Sequence, residues 1–264
     1  MSEASAQLSG RPCVVTGGGT GIGKGIALCL ARAGAEVAVL GRRRGLLEET
    51  ASEIRDGGGT AHVFDVDITD AEAVAGTFAK MDEAMNLADR LHLLVNNAGA
   101  GGPNACAIDG PDTWDVILRT NLDGVYFCTR EGVRRMPDGA RVVNISSVLG
   151  KFGVPGYTAY CASKHGVIGF TKALALELGP RKITANAICP GWVDTEMAHE
   201  GIRGIATATG VSYDEAFDGA MGLVPLGRIM QPDEIGGLVA YMASDAASGM
   251  TGQAVSLCGG STMG

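Results

Sequence analysis

The chain has little positive charge, no long apolar run, and no spacing of cysteine or histidine typical of a metal site. Its 264 residues carry 21 Lys and Arg against 29 Asp and Glu, which gives a net charge of -8 and a pI near 5.0. This balance disfavours nucleic-acid binding, for which a basic face is expected. The consecutive arginines Arg42 to Arg44 are the local exception.

Further absences bear on location and metal binding. No run approaches the roughly 18 apolar residues of a membrane span, and Met1 to Gly10 lacks a charged start followed by an apolar segment. The seven cysteines include no Cys-x-x-Cys pair, and the four histidines are scattered without ligand spacing. We therefore predict a cytoplasmic protein without a metal, a membrane partner or a nucleic-acid partner.

What the chain does have is enough apolar residues for a packed core. Hydrophobic residues make up 46% and charged residues 19%, and at this length we expect one domain, residues 1–264. Strand-like runs alternate with helical stretches, at residues 12–16, 35–41, 60–65, 91–95, 140–146, 182–189 and 252–257. This alternation predicts an α/β fold, a doubly wound Rossmann-type parallel sheet of seven strands with helices on both faces. Its ligands should bind beyond the carboxyl ends of the strands.

The segment Tyr160-Cys161-Ala162-Ser163-Lys164 is a candidate proton-transfer site. If residues 158–179 form the expected helix, Tyr160 and Lys164 lie on one face, so the phenol and the ammonium share a cleft. A neighbouring ammonium favours the phenolate, so this spacing predicts that Lys164 lowers the pKa of Tyr160 toward neutrality, as a general acid for a carbonyl requires. Ser147, thirteen residues upstream, adds a hydroxyl.

A glycine-rich turn follows the first strand-like run. The segment Thr16 to Gly23 reads Thr-Gly-Gly-Gly-Thr-Gly-Ile-Gly and precedes the helical stretch 24–33. Glycine lets the backbone approach a pyrophosphate, and a helix N-terminus offers unpaired amides. Because a second strand follows, the pattern predicts a dinucleotide site. Its expected cofactor-binding residues in this turn are Gly17, Gly19, Thr20, Gly21, Ile22 and Gly23.

Five motifs together resemble the short-chain dehydrogenase/reductase family, in the right order over residues 8–260. They are the G-x-x-x-G-x-G turn, Asn96-Asn97-Ala98-Gly99, Ser147, Tyr160-x-x-x-Lys164 and Pro190-Gly191. The run 163–172 and the ending Cys258-Gly259-Gly260 look like the ketoreductases that act on polyketide and 3-oxoacyl chains. The resemblance implies hydride transfer between a nicotinamide cofactor and a ketone or secondary alcohol.

The resemblance also implies a catalytic set of Asn121, Ser147, Tyr160 and Lys164. Tyr160 would give its proton to the carbonyl oxygen, and Ser147 would hydrogen-bond that oxygen. The side chain of Ser146, one residue earlier in a strand, would point the other way. Lys164 would also hold the nicotinamide ribose hydroxyls, and Asn121 would support a water-linked proton path behind the lysine.

Further cofactor contacts are implied in the same way. Asp67 and Ile68 match the family residues that meet the adenine, with Asp65 as a competing candidate. After the fourth strand, Asn96 and Gly99 would pass close to the adenine ribose, and Ala98 lies between them. The loop after the sixth strand would wrap the nicotinamide through Pro190, Gly191, Val193 and Thr195.

The end of the second strand predicts NADP(H) and makes NAD less likely as the cofactor. Folds that take NAD usually place a carboxylate there, against the ribose 2′-OH. This chain has Gly41, followed by Arg42 and Arg43, and a guanidinium can bind phosphate through two charge-assisted bonds. The alternative is that the arginines form a solvated turn, because Thr20 is not basic as it is in some NADP enzymes.

The expected substrate wall is mostly apolar, which favours a hydrophobic or cyclic ketone or a 3-oxoacyl chain over a sugar. Its expected members are Ser147, Leu149, Val154, Tyr157, Trp192 and Met197. Trp192 is equally well explained as a core residue. The segment Thr195 to Arg228 fits an ordinary surface helix and loop or a lid, and the resemblance favours the lid.

The assembly and the reaction class leave alternatives open. Apolar residues on more than one face of the helices near 111–135 and 158–179, such as Val125 and Phe170, predict with the resemblance a homodimer or homotetramer. The alternative is that the sheet and a neighbouring helix cover both faces. Rival functions are an NAD-dependent alcohol dehydrogenase of the same family, a non-catalytic dinucleotide-binding protein and a sugar-nucleotide epimerase. The epimerase would have a G-x-x-G-x-x-G turn and more than the about 70 residues that follow Pro190.

Overall fold

The computed structural model describes residues 7–104, 106 and 112–263. Seven parallel strands form the central sheet of this part of the chain. The strands are β1 Pro12–Thr16, β2 Glu36–Gly41, β3 Thr60–Asp65, β4 Leu93–Asn96, β5 Arg141–Ile145, β6 Thr184–Pro190 and β7 Ala254–Leu257. They form one sheet in the order β3-β2-β1-β4-β5-β6-β7, and each neighbouring pair is parallel. The predicted sheet is therefore confirmed.

Helices connect these strands in the described part of the chain. They are α1 Gly21–Arg32, α2 Arg44–Asp56, α3 Ala71–Met85, α4 Trp114–Leu118, α5 Gly124–Val133, α6 Thr158–Leu178, α7 Glu196–Thr209, α8 Tyr213–Gly222 and α9 Pro232–Ala243. A π-helical turn, Arg119–Asp123, joins α4 to α5 in the stretch predicted as one helix from 111 to 135, whose first residue lies outside the described residues. Among the described residues, no helix is both long and apolar enough to cross a membrane.

Both faces of the sheet carry an apolar core. Successive strand residues point to opposite faces, so Val14 and Val15 of β1 lie in different clusters. Residues of α1 and α9 cover one face, and residues of α3, α5 and α6 cover the other. Phe78 of α3 is fully buried, and burial of such a side chain contributes about 1.5–3 kcal/mol. The predicted helices on both faces are thus confirmed.

The apolar residues expected at a subunit interface are covered within this one chain. Val125 of α5 and Val167 of α6 are 5% and 1% exposed, and Phe127 and Phe170 pack against the core on the same face of the sheet. The alternative interpretation, that the sheet and neighbouring helices cover these faces, accounts for them.

The parallel order also decides where a ligand can bind. The carboxyl ends of parallel strands meet at one edge of the sheet, and the loops that leave this edge carry the predicted site residues. The glycine-rich turn follows β1, Asn97 follows β4, Ser147 follows β5 and Gly191 follows β6.

Candidate active site

Ser147 and Tyr160 lie together beyond the end of β5. Ser147 Oγ accepts a hydrogen bond from Leu149 N at 3.1 Å and caps a short 3-10 turn. The hydroxyl can still donate, because an oxygen that accepts keeps its own proton. The Ser147 side chain lies near enough to the Tyr160 phenol to lower its pKa by hydrogen bonding. Ser146 donates instead to the Lys164 carbonyl oxygen at 2.9 Å, so its hydroxyl is engaged elsewhere.

Lys164 lies one turn beyond Tyr160 on α6 and is 5% exposed. Its Nζ donates to Ile145 O at 2.9 Å and lies 5.5 Å from the centre of the Tyr160 ring. Burial raises the pKa of Tyr160 to about 12, against a smaller opposite effect of the Ser147 hydrogen bond. Burial also lowers the pKa of Lys164 to about 8. The prediction that Lys164 lowers the pKa of the phenol is therefore wrong, because desolvation dominates and the amine is directed at a backbone carbonyl.

Asn121 lies in the π-helical turn and is 1% exposed. Its Oδ1 accepts from Ala100 N at 2.8 Å, and its Nδ2 donates to Ala100 O at 2.9 Å. The same Nδ2 donates to Ser163 Oγ at 2.9 Å, and Ser163 Oγ donates to Tyr160 O at 2.8 Å. Ser163 therefore connects Asn121 to the backbone of Tyr160. Sequence reasoning did not assign a role to Ser163, although it lies inside the Tyr-x-x-x-Lys motif.

The segment after β4 passes next to these residues. A β-carbon added to Gly99 would lie 3.6 Å from Lys164 Nζ. One added to Gly101 would lie 3.3 Å from Met197 Sδ and 3.5 Å from Tyr160 Cε2. Met197 is 48% exposed at the start of α7. The predicted wall residue Met197 and the phenol therefore meet at Gly101.

The other predicted wall residues fall into two groups. Leu149, Val154 and Tyr157 are partly exposed between Ser147 and α6. Trp192 packs against apolar residues of α7 and α8, and a β-carbon on Gly201 of α7 would lie 3.3 Å from its ring. The alternative that Trp192 is a core residue accounts for these contacts.

The glycine-rich turn is closely packed and leaves helix amides without a side-chain partner. Gly17 has φ +67°, and a β-carbon on it would lie 2.9 Å from Ala98 Cα. A β-carbon on Gly23 would lie 2.1 Å from Gly17 O. Thr20 precedes α1, but its side chain makes no capping hydrogen bond, and the first turn of α1 has no acidic residue. These unpaired amides at a positive dipole end suit a pyrophosphate, so the residues present fit a dinucleotide.

Asn96 and Asn97 have separate surroundings because successive strand residues face opposite ways. Asn96 is 2% exposed, and its Nδ2 donates to Asn144 Oδ1 at 2.8 Å and to Thr129 Oγ1 at 2.9 Å. The side chain of Asn96 is thus engaged in the core, which leaves its backbone for the predicted approach to the adenine ribose. Asn97, which sequence reasoning passed over, donates through Nδ2 to Thr16 O at 2.9 Å and fastens the glycine-rich turn to β4.

The three consecutive arginines have different partners. Arg44 NH1 lies 2.6 Å from Asp65 Oδ1, so this pair is occupied. Arg43 NH2 donates to Thr20 Oγ1 at 3.4 Å, which places Arg43 at the edge of the glycine-rich turn. The side chain of Arg42 is 77% exposed. Arg42 and Arg43 are therefore open to an anion beyond β2, and Arg44 is not.

Asp67 and Ile68 follow β3 at the same edge of the sheet. Asp67 Oδ1 accepts from Thr69 N at 2.9 Å and from Thr69 Oγ1 at 2.8 Å. These bonds hold the pKa of Asp67 below its usual range, and the positive charge of Arg42, at 4.0 Å, makes a smaller contribution in the same direction. Ile68 is 6% exposed. The competing candidate Asp65 has its carboxylate engaged by an arginine, which favours Asp67 as the predicted adenine contact.

The loop after β6 lies against the glycine-rich turn. β6 ends at Pro190, and Gly191 N donates to β7. Val193 is 3% exposed, and Thr195 caps α7 through its hydroxyl. A β-carbon on Gly21 would lie 3.0 Å from Thr195 Cγ2. The structure thus brings together the two segments that were predicted to hold the pyrophosphate and the nicotinamide of one dinucleotide.

Comparison with known proteins gives matches over nearly the whole chain. The profile of the enoyl-(acyl carrier protein) reductase family matches residues 17–262. A Streptomyces virginiae protein named as the ketoacyl reductase of the monensin polyketide synthase is 38% identical over 258 residues, which cover 96% of this chain and 98% of that protein. The 3-oxoacyl-(acyl-carrier-protein) reductase of Aquifex aeolicus is 35% identical over 260 residues, covering 96% and 98%.

The same holds for solved structures. A variant of actinorhodin polyketide ketoreductase, crystallised with NADPH, has a TM-score of 0.90 and 38% identity to this chain. The match covers 95% of this chain and 97% of that one. With the seven-stranded sheet and the matched motifs, these findings show that the chain belongs to the short-chain dehydrogenase/reductase family of NAD(P)-dependent enzymes.

Proposed function

We propose that this enzyme reduces a ketone carbonyl with NADPH. The observation that carries the proposal is that Ser147 and Tyr160 lie together beyond β5, with Lys164 Nζ 5.5 Å from the centre of the phenol ring. Two hydroxyl donors can share one carbonyl oxygen and stabilise the negative charge that develops on it. The ketoacyl reductase names of the relatives support a ketone as substrate.

The proton in this reaction comes from Tyr160. A pKa of about 12 keeps the phenol protonated at neutral pH, so it is ready to donate. An alkoxide is a stronger base than a phenolate, so the proton moves to the substrate oxygen as the carbonyl π bond breaks. Ser147 donates a hydrogen bond to the same oxygen. A bound NADPH would supply the hydride that forms the new C–H bond.

Lys164 and Asn121 support the donor. Lys164 Nζ is tied to Ile145 O, and Asn121 fixes Ser163, which holds the backbone of Tyr160. We assign Lys164 the further task of binding the ribose next to the nicotinamide. We assign Asn121 the support of a proton path from solvent that returns a proton to Tyr160.

NADPH would lie along the carboxyl edge of the sheet. Its pyrophosphate would meet the unpaired amides at the start of α1, and its adenine would lie near Asp67 and Ile68. Arg42 and Arg43 would bind the 2′-phosphate where Gly41 leaves the end of β2 without a carboxylate. Gly191, Val193 and Thr195 would hold the nicotinamide. The NADPH in the actinorhodin ketoreductase structure supports this choice of cofactor.

The substrate would be a hydrophobic or cyclic ketone or a 3-oxoacyl chain. Met197 and Tyr160 both lie next to Gly101. Three partly exposed residues lie between Ser147 and Tyr160 in the chain: Leu149, Val154 and Tyr157. Apolar walls with a few polar groups are typical of sites for such ligands. We propose that residues 195–228, which hold α7 and α8, form a lid over this pocket within a single catalytic domain.

A homo-oligomer is also proposed, on residues other than those first expected. Val116 of α4, Tyr126 of α5 and Leu176 of α6 are 62%, 49% and 83% exposed. These large apolar side chains lie on the helices that the resemblance implies in subunit pairing. A second copy of the chain would remove them from water.

Replacement of Tyr160 by Phe tests the proposed function. We expect Tyr160→Phe to lower kcat by about 10² to 10⁴, because a positioned general acid is lost. The Kd for NADPH, followed by the fluorescence of the bound cofactor, should stay unchanged because the ring remains. Tyr241→Phe, the same change at a tyrosine of α9 that is 49% exposed, is the matched control and should behave like wild type. More than about a tenth of wild-type kcat in Tyr160→Phe would contradict the role of Tyr160.

A substrate panel identifies the reaction class. NADPH oxidation is measured with cyclic ketones, steroid ketones, 3-oxoacyl thioesters and 2-enoyl thioesters. We expect turnover of one or more of the three ketone classes and none of the enoyl thioester, because the two hydroxyls face a carbonyl oxygen. Turnover of the enoyl thioester alone would reject ketone reduction. Binding of NADPH without any turnover would favour a non-catalytic dinucleotide-binding protein.

A further inference from the structure

A chain of hydrogen bonds starts at Asp194, inside the loop that follows β6. Asp194 Oδ1 contacts His199 Nε2 at 2.8 Å, and His199 Nδ1 contacts the hydroxyl of Tyr213 at 2.6 Å. Gln231 Nε2 donates to Asp194 Oδ2 at 3.4 Å from the other side. The chain joins the loop to α7, to α8 and to the residue that precedes α9.

The imidazole of His199 is the centre of this chain. An ionised carboxylate only accepts hydrogen bonds, so the N–H group of the ring is at Nε2 and donates to Asp194. In the neutral ring Nδ1 then accepts from the Tyr213 hydroxyl, so both ring nitrogens are used. The side chain of His199 is 30% exposed, and the Tyr213 ring also packs against Phe217. No other residue type places two hydrogen-bonding nitrogens on opposite sides of one rigid ring.

Asp194 lies where the loop meets the glycine-rich turn. It lies in the chain between Val193, which is buried, and Thr195. A β-carbon added to Gly21 of the turn would lie 3.0 Å from Thr195 Cγ2. Asp194 and Gly21 also line one open groove. Asp194 N donates to Met230 O at 2.8 Å, so the backbone on the α9 side is fixed independently of His199. Beside the Thr195 cap of α7, the side-chain bond to His199 adds a connection from the loop to α7 and α8.

We propose that His199 is a positioning residue that holds the 193–195 loop in its cofactor-binding arrangement through Asp194. The inference rests on the proposed function, because it needs this loop to hold the nicotinamide. Without the bond, the loop would have more conformations in the free enzyme and would lose them when the nicotinamide binds. The cost falls only on ligands that contact the loop. Ligands that lack the nicotinamide do not depend on it.

Two ligands separate these effects. Isothermal titration calorimetry is done with NADPH and with 2′-phospho-ADP-ribose, which keeps the 2′-phosphate, the adenosine, the diphosphate and the second ribose but has no nicotinamide. In His199→Leu, which keeps the side-chain volume and removes both hydrogen bonds, we expect the Kd of NADPH to rise about 5-fold to 30-fold. The Kd of 2′-phospho-ADP-ribose should stay within about 2-fold of wild type. Tyr213→Phe, which keeps the ring against Phe217, should weaken NADPH in the same direction by a smaller factor.

Controls make the result decisive. Tyr241→Phe removes a hydroxyl of the same kind on α9 and should leave both affinities unchanged. Thermal unfolding of each variant checks that it is folded. Equal weakening of both ligands in His199→Leu and Tyr213→Phe, or no weakening of NADPH in either, would overturn the inference while wild-type binding stays intact. If wild type binds neither ligand, the proposed cofactor fails and the inference fails with it.

Discussion

Removal of Arg42 or Arg43 should change the choice between NADPH and NADH. The two side chains stand beyond the end of β2, where Gly41 supplies no carboxylate. Arg42 has one weak ion pair, at 4.0 Å to Asp67, and is 77% exposed. Arg43 reaches the hydroxyl of Thr20 in the glycine-rich turn at 3.4 Å. Both guanidinium groups can therefore move to a 2′-phosphate without breaking a strong bond.

The size of the effect follows from these contacts. A hydrogen bond to a charged group contributes about 1.5 to 3 kcal/mol, which corresponds to about 10-fold to 150-fold in affinity. Solvent screening at so exposed a side chain places Arg42 at the low end. We expect Arg42→Ala and Arg43→Ala each to lower the ratio of kcat/KM for NADPH to kcat/KM for NADH by about 10-fold. The contribution should shrink as salt is added.

Two further variants sharpen the assay. Arg44→Ala removes an equal charge from the next position, but Arg44 is bound to Asp65 at 2.6 Å and to Glu48 at 3.1 Å, so the ratio should hardly change. Gly41→Asp supplies the missing carboxylate. The site has room for it, because a β-carbon there would meet its nearest neighbour, Leu47 Cδ2, at 3.6 Å. We expect Gly41→Asp to lower the ratio by repelling the 2′-phosphate.

Either of two outcomes would refute the role of the arginines. A wild-type preference for NADH would reject NADP(H) as the cofactor and favour the NAD-dependent alcohol dehydrogenase. An unchanged ratio in both Arg42→Ala and Arg43→Ala would show that the arginines form a solvated turn.

Two more predictions concern stability and assembly. Burial, and after it the charges of Arg11 and Arg141, lower the pKa of His92 from 6.5. As the pH falls, His92 is therefore protonated in the unfolded chain before it is protonated in the folded chain. The free energy of unfolding that is present above pH 6.5 decreases as the pH falls through 6.5, by at most about 1.4 kcal/mol per pH unit. Denaturant unfolding at pH 7.5 and 5.5 should show a smaller loss in His92→Gln than in wild type or in the exposed control His165→Gln, and equal losses in all three would refute it. Light scattering at micromolar concentration should give a multiple of 27.0 kDa for wild type and a smaller mass for Val116→Arg. A wild-type mass of 27.0 kDa would reject the oligomer.

The sheet was predictable because its signals are local and agree with one another. The strand Pro12–Thr16 is buried along its whole length, and such strands read as near-continuous apolar runs in the sequence. The alternation of these runs with helical stretches then specifies parallel strands. The π-helical turn at Arg119–Asp123 gives no such signal, because it differs from an α-helix only in which backbone groups pair.

Contacts within the site were predictable only where one local element sets them. Tyr160 and Lys164 lie on one helix, so their proximity follows from helical geometry. The bond from Asn97 to Thr16 and the bond from His199 to Tyr213 depend on how separate elements pack. A period of two along β4 could have shown that Asn96 and Asn97 face opposite ways, but not which of them faces the glycine-rich turn. For Trp192 the residue type fits a pocket or a core equally well, and its contacts with α7 and α8 depend on how separate elements pack.

The proton affinity of Tyr160 shows why proximity alone was not enough. The spacing places an ammonium near a phenol, and in water that charge would favour the phenolate. Inside the protein both groups lose hydration, and this raises the pKa of Tyr160 and lowers that of Lys164. Burial thus favours the protonated phenol and the neutral amine. A protonated phenol is the state needed to give a proton to a carbonyl oxygen, whereas oxidation of an alcohol needs the phenolate as a base. The free protein therefore holds Tyr160 in the state from which proton donation starts.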